Sequence, residues 1–284
     1  MPLDTERLRS LARRDLAFTW RAEQAALYAL SVGFGREANN AAESLYLLPG
    51  AMQRAVPSMA GVMSVNVFEQ DYGWQYAQML HGEQRMTLHR PLQPTAELLA
   101  NFSVDAVHDK GANRPAVIVV RTDVRDAHGN VPLFTLHSTL IARADGGFDG
   151  PQDRLPDVTP IPQRAPDLVH ESSTRPEQAL LYRMNGDLNP LHVDPARARQ
   201  AGFAQPILHG LCTYGFACRA ILATICDYDS TLIGQLDARF TAPVYPGDIL
   251  TTQMWQSGDE ILFRCIVNER DSVVLDNGYC RLLV

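Results

Sequence analysis

The sequence has 284 residues, of which 46% are hydrophobic and 20% are charged. This length corresponds to about two domains of roughly 150 residues each, and the composition excludes a small disulfide-stapled scaffold and a disordered chain. The 32 acidic and 25 basic side chains give a formal charge of -7, which opposes broad binding to nucleic acid phosphates. A local cationic pocket remains compatible with this charge. Among the basic residues Lys110 is the single lysine beside 24 arginines.

The cysteines and the N-terminal segment indicate the compartment. Five cysteines are an odd number, all lie in the second half and none shows CxxC spacing, so neither a disulfide framework nor a zinc site is predicted. Residues 1–20 alternate charges with single apolar residues and lack the apolar core of a signal peptide. No apolar stretch approaches the roughly 20 residues that span a bilayer. We expect a reduced, soluble, cytoplasmic protein that binds neither nucleic acid nor membrane.

The first half of the chain is rich in strand-forming residues. Turn signals separate four predicted strands, at residues 75–89, 97–108, 116–125 and 133–142. Five prolines then crowd residues 151–166, and each removes a backbone donor and restricts its predecessor, which favours an extended connector. We therefore predict a first module at 1–148, a linker at 149–168 and a second module at 169–284.

The second half predicts a buried helix followed by strands. Residues 211–226, LCTYGFACRAILATIC, are apolar nearly all round and long enough for about four helical turns. β-Branched and aromatic residues follow at 231–240, 249–256, 260–269 and 272–284, separated by turn signals. A buried helix with antiparallel strands predicts the α+β class.

The two halves resemble each other weakly. Residues 23–28, EQAALY, match residues 177–182, EQALLY, at an offset of 154, and residues 81–94 share a glycine and two prolines with residues 233–246 at an offset of 152. Two matches in the same order and at nearly the same offset indicate a duplication. One helix wrapped by a curved antiparallel sheet, present twice, is a double hot-dog. The first copy of the helix, near residues 57–65, is expected to be short because small residues interrupt it.

The densest polar cluster lies at residues 182–195, YRMNGDLNPLHVDP. It brings Asp187, Asn189, His192 and Asp194 within eight positions around an Asn-Pro turn. A carboxylate and an imidazole held by such a turn can converge on one water, as general acid–base catalysis requires. The same residues commonly cap turns and helix starts, and local chemistry alone leaves that alternative open.

Other chemistries fit this cluster poorly. A calcium loop that begins at Asp187 would need Gly at its sixth position and Glu at its twelfth, where His192 and Ala198 stand. Asp187, His192 and His209 show no recognisable metal-ligand spacing. A nucleophilic triad is not indicated either, because the chain has no Gly-x-Ser-x-Gly or Cys-Gly elbow.

The whole cluster, with DLNPLH at residues 187–192, resembles the signature of the 2-enoyl-CoA hydratase type 2 family, also called MaoC-like dehydratases. Two further segments are typical of that family: PILHG at residues 206–210 and FTAPVYPGD at residues 240–248. The resemblance extends over the chain, whose length and order are similar to the two-module hydratase part of peroxisomal multifunctional enzymes.

The resemblance implies reversible hydration of trans-2-enoyl-CoA to (3R)-3-hydroxyacyl-CoA, without a metal or redox cofactor. Asp187 and His192 would act on water, and the Gly210 N–H would bind the thioester oxygen. A helix start agrees with that last role, because its N–H groups are unpaired and its dipole favours negative charge. The implied substrate contacts are His81, Gly82, Lys110, Leu188, Asn189, Pro190, Leu191 and Phe240. His209 and His137 are expected to be structural.

The repeat adds a prediction about the first module. At the offset of 154, Asp187 corresponds to Gly33 and His192 to Ala38, so the first copy lacks the pair and one active site per chain follows. The first module would provide acyl-chain space and CoA contacts, and the family implies a homodimer. A (3R)-3-hydroxyacyl dehydratase acting on a carrier protein, a thioesterase of the same fold and a non-catalytic acyl-CoA-binding subunit remain alternatives.

Overall fold

Within the described residues, 5–37, 39–64 and 78–283 of this computed structural model, ten strands form one sheet. The strands are β1 (Ala12–Trp20), β2 (Met79–Leu88), β3 (Ala96–Asp109), β4 (Ala116–Asp126), β5 (Pro132–Ala142), β6 (Leu168–Ser173), β7 (Ile233–Phe240), β8 (Ile249–Ser257), β9 (Glu260–Val267) and β10 (Ser272–Leu282). Their order is β1-β3-β4-β5-β2-β7-β10-β9-β8-β6, and all neighbours are antiparallel.

The sheet is symmetric about the β2–β7 pair. Read outward from this pair, the first half runs β2-β5-β4-β3-β1 and the second runs β7-β10-β9-β8-β6, so each strand has a counterpart five strands later. Arg85 pairs with Asp237 at the centre, and the two are related by the offset of 152. The two halves therefore share one strand order in one continuous sheet.

Six α-helices accompany the strands in the described part of the chain. They are α1 (Thr5–Arg9), α2 (Ala22–Ser31), α3 (Ala41–Leu47), α4 (Gln178–Tyr182), α5 (Pro195–Gln200) and α6 (Gly210–Thr224). Residues 211–222 of α6 are all buried, as its nearly uniformly apolar sequence predicts. Its counterpart in the first half is a short 3-10 helix, Pro57–Ser64. The predicted buried helix and its short first copy are both present, and the α+β double hot-dog prediction is confirmed.

The helix caps repeat as well. Asn40 caps α3 and Asp194 caps α5, each through a side-chain oxygen that accepts from N–H groups of the first turn. The two caps are 154 residues apart, as are Tyr28 and Tyr182, whose buried rings meet edge to face at 6.1 Å. The offset found in the sequence therefore relates equivalent positions in space.

The proline-rich connector runs across the sheet. Gln152 bridges to His108 of β3, Arg85 of β2 donates to the Asp157 carbonyl, and Asn277 of β10 donates to the Thr159 carbonyl. Further along, the indole N–H of Trp255 in β8 donates to the Arg164 carbonyl. Its backbone is thus extended, as the prolines predict, and strand β6 begins at Leu168, the last residue of the predicted linker.

The sequence prediction missed the two edge strands. β1 pairs only with β3 on one side and reads ARRDLAFTW, with a bulge near Asp15, whose φ is +56°. β6 pairs with β8, has six residues and carries polar side chains. Edge strands that are short, charged or bulged do not readily pair with strands of other chains. The same features interrupt the alternation of apolar and polar residues from which a strand is predicted. The eight inner strands start and end within a few residues of the predicted positions, except that residues 75–77, the predicted start of the first one, lie outside the described residues.

None of the helices in the described ranges is long and apolar enough to cross a membrane.

Candidate active site

The polar loop after α4 is held by its own side chains. Gly186 takes a φ of +114° and ends a 3-10 turn, a conformation that favours glycine. The Asp187 carboxylate accepts from the Asn189 N–H at 3.1 Å, and the Asn189 amide oxygen accepts from the Leu191 N–H at 3.0 Å. Both residues therefore do the turn-capping that their types favour. The Asp187 carboxylate can cap this turn and still bind a water, because a carboxylate has two oxygens and about four acceptor sites.

His192 is fixed in one tautomer. It closes the 3-10 turn Pro190–His192, is buried, and its Nδ1 lies 2.8 Å from the Ile207 carbonyl. Because a carbonyl only accepts, Nδ1 carries the hydrogen and the neutral ring keeps its lone pair on Nε2. Burial lowers the pKa of His192, against the opposing effects of the Ile207 carbonyl and Asp187. The ring is thus a neutral group with a free basic nitrogen.

His209, expected to be structural, lies inside this site. Its ring stacks on His192 with centroids 3.7 Å apart and planes 27° apart, and its Nε2 is 3.3 Å from the Asp187 carbonyl. Its side chain is buried, and burial lowers the pKa of His209 to about 2. The sequence signal was available, since His209 directly precedes Gly210 in PILHG, but only the fold shows which ring it faces.

Asp187, His192 and His209 bring one donor atom each within 4.8 Å of one another. Such a trio could hold a metal ion only if its lone pairs converged, as the tetrahedral geometry of zinc requires. The lone pair of an imidazole nitrogen lies in its ring plane, and these two planes are stacked only 27° from parallel, which suits tetrahedral ligation poorly. The arrangement therefore fits proton transfer better than metal coordination.

Gly210 stands at the start of α6, next to this trio. The N–H groups of Cys212 and Thr213 donate to the His209 carbonyl, which leaves the first helical N–H groups without a partner inside the helix. A Cβ on Gly210 would lie 3.0 Å from the Phe240 ring. Glycine therefore allows a backbone N–H, at the positive end of the helix dipole, to be approached closely.

The remaining predicted residues fall into three places. His81 of β2 meets the Phe240 ring at 4.9 Å, so these two and Gly210 are adjacent, and burial lowers the pKa of His81 to about 4. Gly82 has a packing reason of its own, because a Cβ there would lie 2.6 Å from Ile141. Leu188, Asn189 and Pro190 are exposed and Leu191 is half-buried, which puts this loop at the surface beside the trio.

Lys110 is not brought to this cluster. It lies at the end of β3, three strands from β2 and so about 14 Å across the sheet from the His81 strand. There it lines a cavity of about 320 Å³ together with His108, Arg114 and Gln152. The Asp109 carboxylate accepts N–H bonds from Gly111 and Gly147, which ties together the loops that form this cavity.

Both halves of the chain match family models of known proteins. Residues 18–144 match the family model of the MFE-2 hydratase 2 N-terminal domain, and residues 157–277 match that of the MaoC like domain. Enoyl-CoA hydratase ChsH3 of Mycobacterium tuberculosis is 34% identical over 286 residues, which cover 98% of each chain. The chain belongs to the family of type 2 enoyl-CoA hydratases and MaoC-like dehydratases, which are hydro-lyases.

Further relatives of this family match at similar levels. Peroxisomal enoyl-CoA hydratase 2 of Arabidopsis thaliana is 34% identical, over 91% of this chain and 89% of that protein. The 3-hydroxyacyl-thioester dehydratase Y of Mycobacterium tuberculosis is 36% identical over 93% of each. Among solved structures, full-length peroxisomal multifunctional enzyme type 2 from Drosophila melanogaster matches with a TM-score of 0.84 and 34% identity, over 96% of this chain and 48% of that one. This chain thus spans about half of the multifunctional enzyme.

Proposed function

We propose that this protein adds water reversibly across C2 and C3 of a trans-2-enoyl-CoA, giving (3R)-3-hydroxyacyl-CoA. The observation that carries the proposal is the convergence of Asp187 and His192 within 4.8 Å, beside the helix start at Gly210. Relatives named enoyl-CoA hydratase, alike over nearly their whole length, support the same reaction class.

The pair can carry one proton through the whole reaction. A water held between the Asp187 carboxylate and His192 Nε2 gives its proton to Nε2 while its oxygen bonds to C3. The imidazolium then delivers that proton to C2, so the pair ends as it began. Asp187 orients the water and stabilises the transient imidazolium, and the low pKa of His192 favours returning the proton. The step uses no metal or redox cofactor.

The N–H groups at the start of α6 can stabilise the negative charge that develops on the thioester oxygen. As the C3–O bond forms, electrons move through C2 to the thioester oxygen, and a donor placed there stabilises the enolate-like state. We assign the Gly210 N–H to that role. His81 and Phe240 line the neighbouring wall and are assigned to the acyl thioester, with the Leu188–Leu191 loop covering it and Gly82 keeping the strand close to Ile141.

In this proposal the first module binds the acyl-CoA substrate and lacks a catalytic pair of its own. Gly33 stands where the repeat would need the carboxylate, and its φ of +98° and its closeness to Phe216 suit a turn. Ala38, the counterpart of His192, lies outside the described residues. One active site per chain follows, with acyl space beside the short 3-10 helix of the first module and CoA phosphates at Lys110. Turnover of short against long enoyl-CoAs tests this division, and a strict preference for crotonyl-CoA would contradict it.

The central test is a substitution pair with activity and folding measured together. Asp187→Asn and His192→Gln keep the size of each side chain and should lower kcat by about 100-fold or more, since one general acid or base contributes roughly 10²–10⁴. Loss of enoyl-thioester absorbance gives the rate, and chiral analysis of the product gives the stereochemistry. His137→Gln, on β5 beside Asp105, is the matched control and should leave the rate unchanged. A fully active Asp187→Asn variant would overturn the assignment.

A dehydratase acting on carrier-protein thioesters is the second candidate, favoured by the relative named 3-hydroxyacyl-thioester dehydratase Y. Its chemistry is the same reaction in reverse at the same residues. Rates measured on the same acyl group attached to CoA and to a carrier protein separate the two. A non-catalytic acyl-CoA-binding subunit would bind the CoA substrate without turnover. Gel filtration tests the homodimer that we expect.

A further inference from the structure

His209 contacts each part of the site that the proposed chemistry needs. Its ring lies against His192, its Nε2 meets the carbonyl of Asp187, and its own carbonyl opens the helix that begins with Gly210. Three different kinds of contact, stacking, hydrogen bonding and helix capping, thus start from one residue. A histidine that only filled space would not need to meet all three.

The ring of His209 contacts two other aromatic rings. Tyr182 lies at 5.0 Å with its plane tilted by 47°, and His192 is stacked at 3.7 Å. Tyr182 itself is fully buried next to α2 of the first module, through Tyr28. The core therefore restricts the ring of His209, and His209 together with the Ile207 carbonyl restricts the ring of His192.

Among the described residues, only one of the two ring nitrogens of His209 has a hydrogen-bond partner. The Asp187 carbonyl only accepts, so Nε2 carries the hydrogen, and Nδ1 keeps a lone pair. That Nδ1 is buried and has no hydrogen-bond partner among the described residues. A buried nitrogen without a partner costs stability, and such groups in folded proteins ask for a functional explanation.

Burial outweighs the one charge that favours a protonated ring in this pair. The Asp187 carboxylate acts to raise the pKa of His192, whereas His192 and Arg183, on the turn after α4, act against a charge on His209. The Tyr182 phenol is the other titratable group against His209. Burial dominates for both rings and lowers the pKa of each. A neutral ring packed against His192 excludes water from it and so adds to that burial.

We propose that His209 is a positioning residue of the hydration site: it fixes the ring plane of His192 and the main chain of Asp187, and keeps His192 uncharged by covering it. This inference rests on the proposed function for its kinetic consequences. Its structural part, the control of His192 protonation, does not depend on any substrate.

Three substitutions separate the contributions. His209→Ala removes both the ring and the donor, His209→Phe keeps a flat ring without the donor, and His209→Gln keeps a donor near the Asp187 carbonyl without the stack. The titration of His192 is followed by NMR of protein labelled with 15N-histidine. His137→Ala, at a histidine on β5 that pairs with Asp105, is the control and should leave both kcat and the His192 titration in place.

We expect the His192 titration midpoint to rise towards the ordinary value of about 6.5 in the Ala and Gln variants, and to stay low in the Phe variant. The acid limb of the kcat profile should move by the same amount. His209→Ala should lower kcat by about 100-fold, as a misplaced catalytic group does, while KM changes little. His209→Phe should lose part of kcat without a shifted acid limb, because only the Asp187 anchor is missing.

An unchanged His192 titration in the Ala and Gln variants would overturn the inference. So would equal losses in all three variants that follow only their melting temperatures. If the unmodified protein shows no hydratase activity, the proposed function fails while the NMR titration still decides the role of His209. If Asp187→Asn is inactive but the His209 variants behave as the unmodified protein, this inference alone fails.

Discussion

Arg219 and Glu43 form an ion pair in the core that joins the two modules, with the Arg219 Nε 2.8 Å from the Glu43 carboxylate and side chains 4% and 1% exposed. Arg219 belongs to α6 and Glu43 to α3, which is the counterpart of α5, the helix that follows His192. The Glu43 carboxylate also accepts from the Gly35 N–H and the Tyr228 hydroxyl. The first-module counterpart of the helix after the proposed catalytic His192 thus holds the two modules together.

Breaking this pair should destabilise the protein strongly. Glu43→Gln leaves the buried Arg219 charge with only the exposed Glu37 carboxylate, 3.8 Å away, and the loss of a buried partner costs up to about 3–5 kcal/mol. Urea unfolding measures the free energy. Combining Glu43→Met with Arg219→Met removes both charges and should recover most of the loss. The exposed pair Arg154–Asp157 is the control: Asp157→Asn should stay within about 0.5 kcal/mol. A double variant no more stable than Glu43→Gln would contradict the explanation.

Asp237, at the centre of the β2–β7 pair, should make stability fall as pH rises. Burial raises the pKa of Asp237 to about 6 from an ordinary 3.8, so the folded state holds a proton that the unfolded state has lost. The contribution is fully present below pH 3.8 and is lost as pH rises through about 6, with about 3 kcal/mol as its upper limit. Asp237→Asn keeps the acceptor for the Met86 N–H and cannot ionise.

Unfolding free energies of both proteins from pH 4 to pH 8 measure this effect. The unfolding free energy of the Asn variant minus that of the unmodified protein should increase as pH rises, with most of the increase between pH 4 and pH 7. The exposed Asp167, whose pKa is lowered to about 2 by Arg164, is the control: its contribution is lost only below about pH 4, so the effect of Asp167→Asn should be nearly constant over this range. A difference that does not vary with pH would refute the buried-acid explanation.

Local pattern predicted most of the fold and part of the site. Residues 211–222 are apolar nearly all round, which predicts a buried helix, and the side chains of the DLNPLH loop form the hydrogen bonds of its turn. The stack of His209 on His192 could not be predicted, because it joins rings 17 positions apart through the tertiary fold and neither residue type requires it. The position of Lys110 likewise depends on strand order, which a lone lysine does not encode.

Gly210→Ala should slow turnover through Phe240. The added Cβ would lie 3.0 Å from Phe240 Cδ1, and the ring has His81 beside it at 4.9 Å, so ring or backbone must shift. We expect kcat to fall about 10-fold, less than the roughly 10²–10³ of a deleted oxyanion donor, because the N–H is displaced and not removed. Phe240→Leu makes room, so the double variant should lose less than the product of the single effects. Multiplicative losses would show that the two positions act independently.

The cavity at Lys110 should contribute to CoA affinity and not to chemistry. Lys110 and Arg114 are the cationic side chains that line it together, and paired basic groups suit a phosphate. The pantetheine arm has about as many backbone bonds as four peptide residues, which extend to roughly 14 Å, and the strand that bears His81 is about 14 Å away. The phosphates of a CoA whose thioester lies at Gly210 could therefore reach these two side chains.

The double variant Lys110→Ala/Arg114→Ala should raise KM for crotonyl-CoA by about 10-fold or more at low salt and keep kcat within a factor of about two. The reason is that each lost charge-assisted contact costs at most about 1.5–3 kcal/mol of binding free energy. Crotonyl-pantetheine lacks the phosphates, so its KM should be the same for both proteins, which makes it the internal control. Added salt should narrow the difference for the CoA substrate because it screens exposed charges. An unchanged KM for crotonyl-CoA, or an equal rise for both substrates, would place the phosphates elsewhere on the protein.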